Sequence, residues 1–217
     1  MKQIIYLIKK DVLLEFRTKE IIIPYLLFSF LLLFLLSFGV ERIFDLKLFS
    51  FFYFLSFMFA GMLGFERVTA LEFETGGIYS LLTFPIPRNY IFISKTLSMF
   101  LFQFFSGVIL MIIFSVFLNV NFPPIFYFLI IIILFSFGFS ILGVILSFLT
   151  FSSRAREFLL PIVLIPLFIP PFVSATFALN TLLEDKFLNL NYIYFLVFFD
   201  VFYFFISDLL FEYVILE

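Results

Sequence analysis

Long uninterrupted runs of apolar residues, separated by short polar connections, dominate the pattern along this chain of 217 residues. A helix needs about 20 apolar residues to cross the roughly 30 Å hydrocarbon core of a bilayer. Runs of about that length cover residues 21–40, 48–65, 89–118, 125–149, 158–179 and 191–211. The pattern predicts an all-α integral membrane protein in which residues 1–217 form one domain with six transmembrane helices.

The residues before the first apolar run have a different, amphipathic pattern. Ile5, Ile8, Val12 and Phe16 share one helical stripe with charged residues at its edges. Such a stripe predicts an interfacial helix that lies along the cytoplasmic leaflet before the first span. The alternative is a polar-flanked extension of that span, because some leucines fall outside the stripe. The charges within the segment and the lack of a small-residue cleavage pattern argue against a secretory signal.

Lysine and arginine are unevenly distributed between the two sets of connections. Cytoplasmic connections of membrane proteins carry an excess of these residues. One set carries only Arg42, Lys47 and Lys186 of the 13 basic residues. The other ten lie before span one, between spans two and three with the start of span three, and after span four: Lys2, Lys9, Lys10, Arg17, Lys19, Arg67, Arg88, Lys95, Arg154 and Arg156. Both termini are therefore predicted to be cytoplasmic.

Composition narrows the chemistry that this chain can perform. Apolar residues make up 65% of it and charged residues 13%, about half the usual fraction, so a soluble domain of this size could not bury its apolar surface. With no Cys and no His, disulfides, thiol catalysis and the commonest metal ligand are absent. A net charge of −2 gives no reason to expect nucleic-acid binding. No phosphate-binding loop is present, so any ATP must be bound by another chain.

The connection between spans two and three is the most informative polar segment. It begins with charged residues that are compatible with a helix, and Gly76 and Gly77 should end that helix. A Pro-Ile-Pro sequence then precedes span three. A connection of more than 20 residues is longer than two adjacent spans need, so we infer that it contacts another molecule. A solvated connector with an acidic face is the alternative. The residues of interest are Glu66, Arg67, Glu72, Glu74, Gly76, Pro85 and Pro87.

A few polar residues lie within the predicted spans. Asp200 and Asp208 lie on similar sides of span six, and Asp200 should face protein or water because a central charge is costly in lipid. They form either a proton or cation site or structural hydrogen bonds to a Ser, Thr or Tyr of a neighbouring span. Lys95 is expected to extend its ammonium group to the cytoplasmic interface. Gln103 is a candidate for an interhelical hydrogen bond.

Span five contains an unusual number of prolines. Pro161, Pro166, Pro170 and Pro171 each lack a backbone donor, so the helix is expected to be kinked or partly unwound, with its freed carbonyl groups facing protein or water. Such a helix suits a span that lines a pathway or bends during transport. A packing kink without movement is the alternative.

The connection and the proline-rich span together resemble a known family. Glu66-Arg67, Glu72, Gly76, Leu81, the Pro85-x-Pro87 pair and Lys95 are similar to the segment between spans two and three of the cytochrome c maturation protein B family, also called haem exporter protein B. The Leu-Leu-Pro sequence that ends at Pro161, with Pro166 and Pro170 after it, is similar to that family's fifth span. Length, number of spans and the basic interfacial segment agree as well.

This resemblance implies the permease subunit of an ABC transporter of the ABC-2 kind, in the bacterial inner membrane. It implies a homodimer that pairs with separate ATPase subunits and works with a haem-handling membrane subunit and a periplasmic haem chaperone. The segment 66–84 then matches the coupling helix that docks on the ATPase. ATP would be bound by the partner, and haem would be the cargo, or haem-loaded chaperone would be released. Without His or Cys, we expect that this chain does not ligate haem iron.

Three alternatives remain open from the sequence. An ABC-2 permease could carry a different cargo, such as a lipid or a drug. An ion-coupled secondary carrier could use Asp200 and Asp208. A membrane scaffold without transport activity is the third. The candidate residues for a pathway or helix kink are Lys95, Pro161, Pro166, Pro170 and Asp200, and no catalytic or metal-binding residue is predicted.

Overall fold

The computed structural model describes residues 2–19, 22–39, 46–74, 76–77, 83, 87–151, 156–185 and 187–214. All regular structure within these ranges is α-helical, as the sequence predicts. We number the helices of these ranges in chain order: α1 (Lys2–Thr18), α2 (Ile22–Gly39), α3 (Leu46–Glu74), α4 (Arg88–Phe117), α5 (Ile125–Phe151), α6 (Arg156–Asp185) and α7 (Leu190–Val214).

Among the described residues, five helices are long and apolar enough to cross a membrane. Their apolar segments are Leu48–Phe65, Arg88–Phe117, Ile125–Thr150, Phe158–Glu184 and Leu190–Phe211, which correspond to the second to sixth predicted spans. The first predicted span falls on α2, where the apolar stretch Ile22–Leu32 is shorter. The structure therefore supports a helical membrane protein and accounts for five of the six predicted spans by length and composition.

Helix α5 lies at the centre of the bundle, where it packs against α3, α4, α6 and α7. Its small polar side chains do not reach across to these neighbours. Instead Ser140, Ser147 and Thr150 donate hydrogen bonds of 2.7–2.8 Å to carbonyl oxygens three or four residues earlier in the same helix. Because these hydroxyl groups are satisfied locally, they can lie in an apolar interior without a partner on another helix.

Aromatic side chains fill the space between α3, α5 and α6. Phe135 is central: its ring lies 4.5 Å from that of Phe54, 5.2 Å from Phe57 and 5.0 Å from Phe168, measured between centroids. Most of these pairs are edge-to-face, the arrangement that the quadrupoles of aromatic rings favour. In a bilayer such van der Waals packing holds helices together, because lipid is as apolar as the helix surface.

Helix α1 is separate from α2, as predicted for an interfacial helix. The chain turns at Lys19, whose φ is 56°, and the Glu15 carboxylate accepts a hydrogen bond of 2.8 Å from the backbone N–H of Ile22. This carboxylate satisfies one of the free donors at the beginning of α2 and so fixes the turn between the two helices. The alternative of one continuous helix is wrong.

The side of α1 that faces the protein differs from the apolar stripe seen in the sequence. Leu7, Asp11 and Glu15, four residues apart, are buried, whereas Ile5 is exposed. These buried positions lie about a quarter-turn from the stripe on the helical wheel. The helix thus contacts the bundle through Leu7 and two acidic side chains, with Val12 of the predicted stripe partly buried beside them and Ile5 exposed.

A buried ion pair joins α1 to α4. The Lys95 ammonium group lies 2.9 Å and 3.0 Å from the two carboxylate oxygens of Asp11, and the Ser98 hydroxyl donates to the same carboxylate at 3.3 Å. Only 3% of the Lys95 side chain is exposed. The expectation that Lys95 extends to the headgroups is therefore wrong, because a carboxylate on the adjacent helix satisfies its charge within the protein.

We expect single substitutions in this pair to destabilise the protein more than the double substitution. Asp11→Asn or Lys95→Met leaves one buried charge without its partner and should lower the free energy of unfolding by about 3–5 kcal/mol. The double variant leaves no unpaired charge and should recover much of that loss. Unfolding in mixed micelles measures all three variants.

Lys10 supplies a matched control, since its ammonium group also lies 3.4 Å from Asp11 but its side chain is 41% exposed. Lys10→Gln should cost no more than about 1 kcal/mol, as for exposed ion pairs. Equal losses for Lys10→Gln and Lys95→Met, or additive losses in the double variant, would contradict this account.

Candidate functional site

The charged half of the connection after span two continues helix α3 beyond its apolar segment. The helix has 29 residues and so is about 43 Å long, whereas the hydrocarbon core is about 30 Å thick. Glu66, Arg67, Glu72 and Glu74 lie on this extension, and the conformations of their side chains are outside the described part of the structure. The extension is a helical segment with charged residues that lies beyond the apolar segment Leu48–Phe65.

Glycine and proline mark the two ends of the connection as predicted. Helix α3 ends at Glu74, and Gly76 follows with a φ of +68°, a left-handed conformation that a side chain would disfavour. Pro87 directly precedes α4 with a φ of −57°, and its carbonyl oxygen accepts a hydrogen bond of 2.9 Å from Tyr90. Pro85 and most of the segment between Gly77 and Pro87 lie outside the described residues, so the coupling helix stays a prediction.

The buried ion pair lies close to the place where this connection enters α4. Lys95 is seven residues after the first residue of α4, Arg88, which corresponds to about 10 Å along the helix. Asp11, its partner, was not singled out from the sequence. The spacing of Leu7, Asp11 and Glu15 at every fourth residue is a signal that could have identified a buried polar side of α1.

Helix α6 remains continuous despite its prolines. Pro161, Pro166, Pro170 and Pro171 all lie inside the helix Arg156–Asp185. Of the two predicted outcomes, a kinked or a partly unwound helix, unwinding does not occur, and the kink stays a prediction. Pro171 has no N–H to donate to the carbonyl oxygen of Leu167 four residues earlier. The Tyr203 hydroxyl on α7 donates to that oxygen instead, at 2.5 Å. A side chain from the next helix thus replaces the missing backbone donor at this position.

Asp200 is buried against α5 with only 5% of its surface exposed. Its Oδ1 is in close contact with Gly138: a Cβ atom at that position would overlap the carboxylate. Its Oδ2 has no hydrogen-bond partner among the described residues. Within the described ranges, the alternative of a structural hydrogen bond from a Ser, Thr or Tyr to Oδ2 is therefore not realised, and the carboxyl group packs against Gly138.

The other polar residues of the spans differ in their surroundings. Asp208 is partly buried, and its Oδ1 also has no hydrogen-bond partner among the described residues. Gln103 is buried beside Gly61 on α3, and its Oε1 has no partner within the same ranges. In the searched part of the chain, no group of three or more acidic side chains is arranged to hold a metal ion.

Two cavities open between the last helices of the bundle. One, of about 320 Å³, lies between α5 and α7 and includes Asp200 in its lining. The other, of about 570 Å³, lies between α6 and α7 and is lined in part by Pro170, Phe177 and Tyr192. The rings of Phe177 and Tyr192 stack there at 5.8 Å. Neither cavity was predicted from the sequence, because each depends on how neighbouring helices pack.

Comparison with known proteins gives one match to this architecture. No curated protein matches the chain. A family model described as CcmB protein matches residues 2–205, which includes all the helices down to most of α7. The match covers far more than half of the chain, and it includes both the charged extension of α3 and the proline-rich α6. The chain therefore belongs to the CcmB protein family, whose members are transmembrane permease components in cytochrome c biogenesis.

Proposed function

We propose that this chain is the permease subunit of an ATP-driven complex for cytochrome c assembly, and that residues 66–87 dock on the ATPase. The observation that carries the proposal is the charged extension of α3, which ends at the Gly76 turn beyond the apolar segment. Family membership supports the process, since CcmB proteins are membrane components of a haem exporter for cytochrome c maturation. We assign six spans, with α2 as the first, and cytoplasmic termini.

The path of force from the ATPase follows from the packing at the start of α4. Pro87 restricts the backbone where the docking segment joins α4, so a push on the segment is transmitted to the helix. The Lys95–Asp11 ion pair then joins α4 to α1. Docking would in this way move α1 and the beginning of α4 together, as one packed unit.

The partners in this proposal supply the chemistry that the chain lacks. ATP is bound and hydrolysed by a separate ATPase subunit, because the sequence has no phosphate-binding loop. A haem-handling membrane subunit and a periplasmic haem chaperone complete the complex, in which this chain forms a homodimer. Haem is the cargo, or the haem-loaded chaperone is released by the movement of the spans.

We further propose that haem iron is ligated outside this chain. His and Cys are absent, and Met58, Met62, Met99 and Met111 are all buried in the helix bundle. Haem ligation requires an axial side chain that reaches the iron. A buried thioether in a packed core does not offer that access. The proposal also requires that none of the ten tyrosines, a residue type that can ligate haem iron, does so.

A second candidate function is an ion-coupled carrier that uses Asp200 and Asp208. The unpartnered carboxylate oxygens on α7 favour it, because ionisable groups within spans often mark ion or proton pathways. In that case Asp200→Asn should abolish activity, while changes in residues 66–84 should be tolerated.

The proposed orientation can be measured directly because the chain has no native Cys. Each introduced cysteine is then the only thiol. Asn189→Cys, at an exposed position between α6 and α7, should react with a membrane-impermeant maleimide in intact cells. Glu74→Cys should react only after the inner membrane is permeabilised. The reverse pattern would overturn the orientation and the docking proposal with it.

Reversing one charge in the docking segment should uncouple the ATPase without unfolding the spans. We expect Glu72→Lys to reduce co-purification of the ATPase and cytochrome c assembly by about tenfold or more, since a misplaced charge in a docking interface costs several kcal/mol. Glu184→Lys is the matched control at an exposed position at the opposite end of a span. Unchanged ATPase binding by Glu72→Lys, with equal expression of both variants, would contradict the proposal.

The haem proposal predicts that the isolated subunit gives no axial-ligand spectrum. The chain would be purified alone in detergent, supplied with haem, and examined by absorption and resonance Raman spectroscopy beside the complete complex. Stoichiometric haem with a Met- or Tyr-ligated spectrum on the isolated chain would show that this assignment is wrong.

A further inference from the structure

Both acidic residues of helix α1 face the bundle. Asp11 and Glu15 are the acidic residues of this helix, and their exposed fractions are 9% and 3%. The Asp11 carboxylate pairs with the Lys95 ammonium group, and the Glu15 carboxylate accepts a hydrogen bond from the backbone N–H of Ile22. The negative charges of α1 are therefore satisfied within the protein.

The opposite side of α1 carries a row of alternating apolar and basic side chains. The row has one member at every fourth residue: Ile5, Lys9, Leu13 and Arg17. It is two positions out of step with the buried residues of α1, which places the two sets on opposite sides of the helix. Lys9 and Arg17 are exposed, and Ile5 and Leu13 are 63% and 52% exposed. We call these four residues the outer row.

The charge that α1 presents away from the bundle is positive. Its two acidic side chains lie on the buried side, whereas Lys9 and Arg17 lie on the outer row. The Lys10 ammonium group is 3.4 Å from Asp11, so its charge is partly balanced within the protein. The next acidic residue, Glu20, lies outside α1 and outside the described residues. The outer row is therefore complementary in charge to an anionic partner.

The apolar members of the outer row select among anionic partners. A nucleic acid or a soluble anion would leave the exposed side chains of Ile5 and Leu13 in water. The boundary between headgroups and acyl chains accepts apolar side chains and basic groups on one helix. Tyr6, which lies on the same side of α1 and is 71% exposed, is of a residue type enriched at membrane interfaces. The pattern therefore favours a lipid surface.

We propose that α1 binds anionic phospholipids of the adjoining leaflet through the outer row. Lys9 and Arg17 are eight residues apart, which is about 12 Å along the helix, and they contact headgroup phosphates. Ile5 and Leu13 lie against the acyl chains. Each basic residue close to an anionic membrane surface strengthens binding by about fivefold. This binding does not depend on the docking of residues 66–87 on an ATPase.

A single introduced tryptophan can report on the lipids beside α1, because the chain has no Trp. The Tyr6→Trp chain would be reconstituted in mixtures of phosphatidylcholine and phosphatidylglycerol, with one of the two lipids carrying brominated acyl chains that quench indole fluorescence. We expect phosphatidylglycerol to bind beside this indole at least about tenfold more tightly than phosphatidylcholine. The preference should largely disappear at about 1 M salt, where the screening length is about 3 Å.

Neutral substitutions in the outer row should remove this preference. In the Tyr6→Trp chain, Lys9→Gln should lower it by about fivefold, and Lys9→Gln with Arg17→Gln should bring the two lipids to within about twofold. Both side chains are exposed, so the free energy of unfolding should change little. Asn189→Asp is the control, because it changes the net charge as much as Lys9→Gln at an exposed position between α6 and α7. It should leave the preference unchanged.

Tyr194→Trp is the matched reporter at the beginning of α7, where the tyrosine is 66% exposed. The two lipids should bind beside it with affinities within about twofold of each other.

Equal affinities at Tyr6→Trp, or a preference that survives the loss of both basic side chains, would overturn the proposal. Absence of quenching by either lipid would also overturn it and would indicate an acidic protein or a nucleic acid as the partner of α1. If the double variant fails to fold, the salt dependence decides, and a preference unchanged by salt contradicts the proposal. Glu72→Lys should leave the lipid preference unchanged, so failure of the docking proposal and failure of this surface are distinguishable.

Discussion

Within a bilayer no water is available to satisfy backbone and side-chain polar groups, and the architecture of this chain follows from that constraint. Helices satisfy their own backbone donors and acceptors, and the hydroxyl groups of Ser140, Ser147 and Thr150 on α5 bond back to their own helix. Pro171 in α6 lacks the N–H that would donate to the carbonyl oxygen of Leu167, and the Tyr203 hydroxyl of α7 donates to that oxygen instead. The same rule explains why Lys95 and Asp11 are paired and not separately solvated.

Charged groups are consequently concentrated at a few places with distinct roles. The Lys95–Asp11 pair and the Glu15 carboxylate hold α1 to the start of α4 and α2, close to the end of the charged connection. In the proposed function, a movement imposed on that connection would act on a unit joined by strong, directional contacts. Apolar packing alone, as in the phenylalanine cluster around Phe135, has no directional contacts that fix the position of one helix along another.

Asp200 is one of several buried polar side chains that do not follow this rule, and Asp208 and Gln103 are others. The neighbours of Asp200 on α5 leave room for the carboxylate but give Oδ2 no partner among the described residues. Its burial and its close packing against Gly138 make the carboxyl group part of the contact between α5 and α7.

The sequence by itself determined the helical membrane class and the positions of the apolar helices, because a helix that crosses lipid needs a long apolar run. It also indicated the helix break at Gly76, because glycine and proline act on the local backbone, and it indicated the family. Only the tertiary structure decided which groups meet. The Lys95 ammonium group pairs with Asp11, and the carbonyl oxygen of Leu167 accepts a hydrogen bond from Tyr203. Asp200 packs against Gly138. These contacts depend on how each helix is rotated about its axis and on which helix lies beside it. Hydrophobicity hardly constrains the rotation or the neighbour, because lipid and the protein interior are equally apolar.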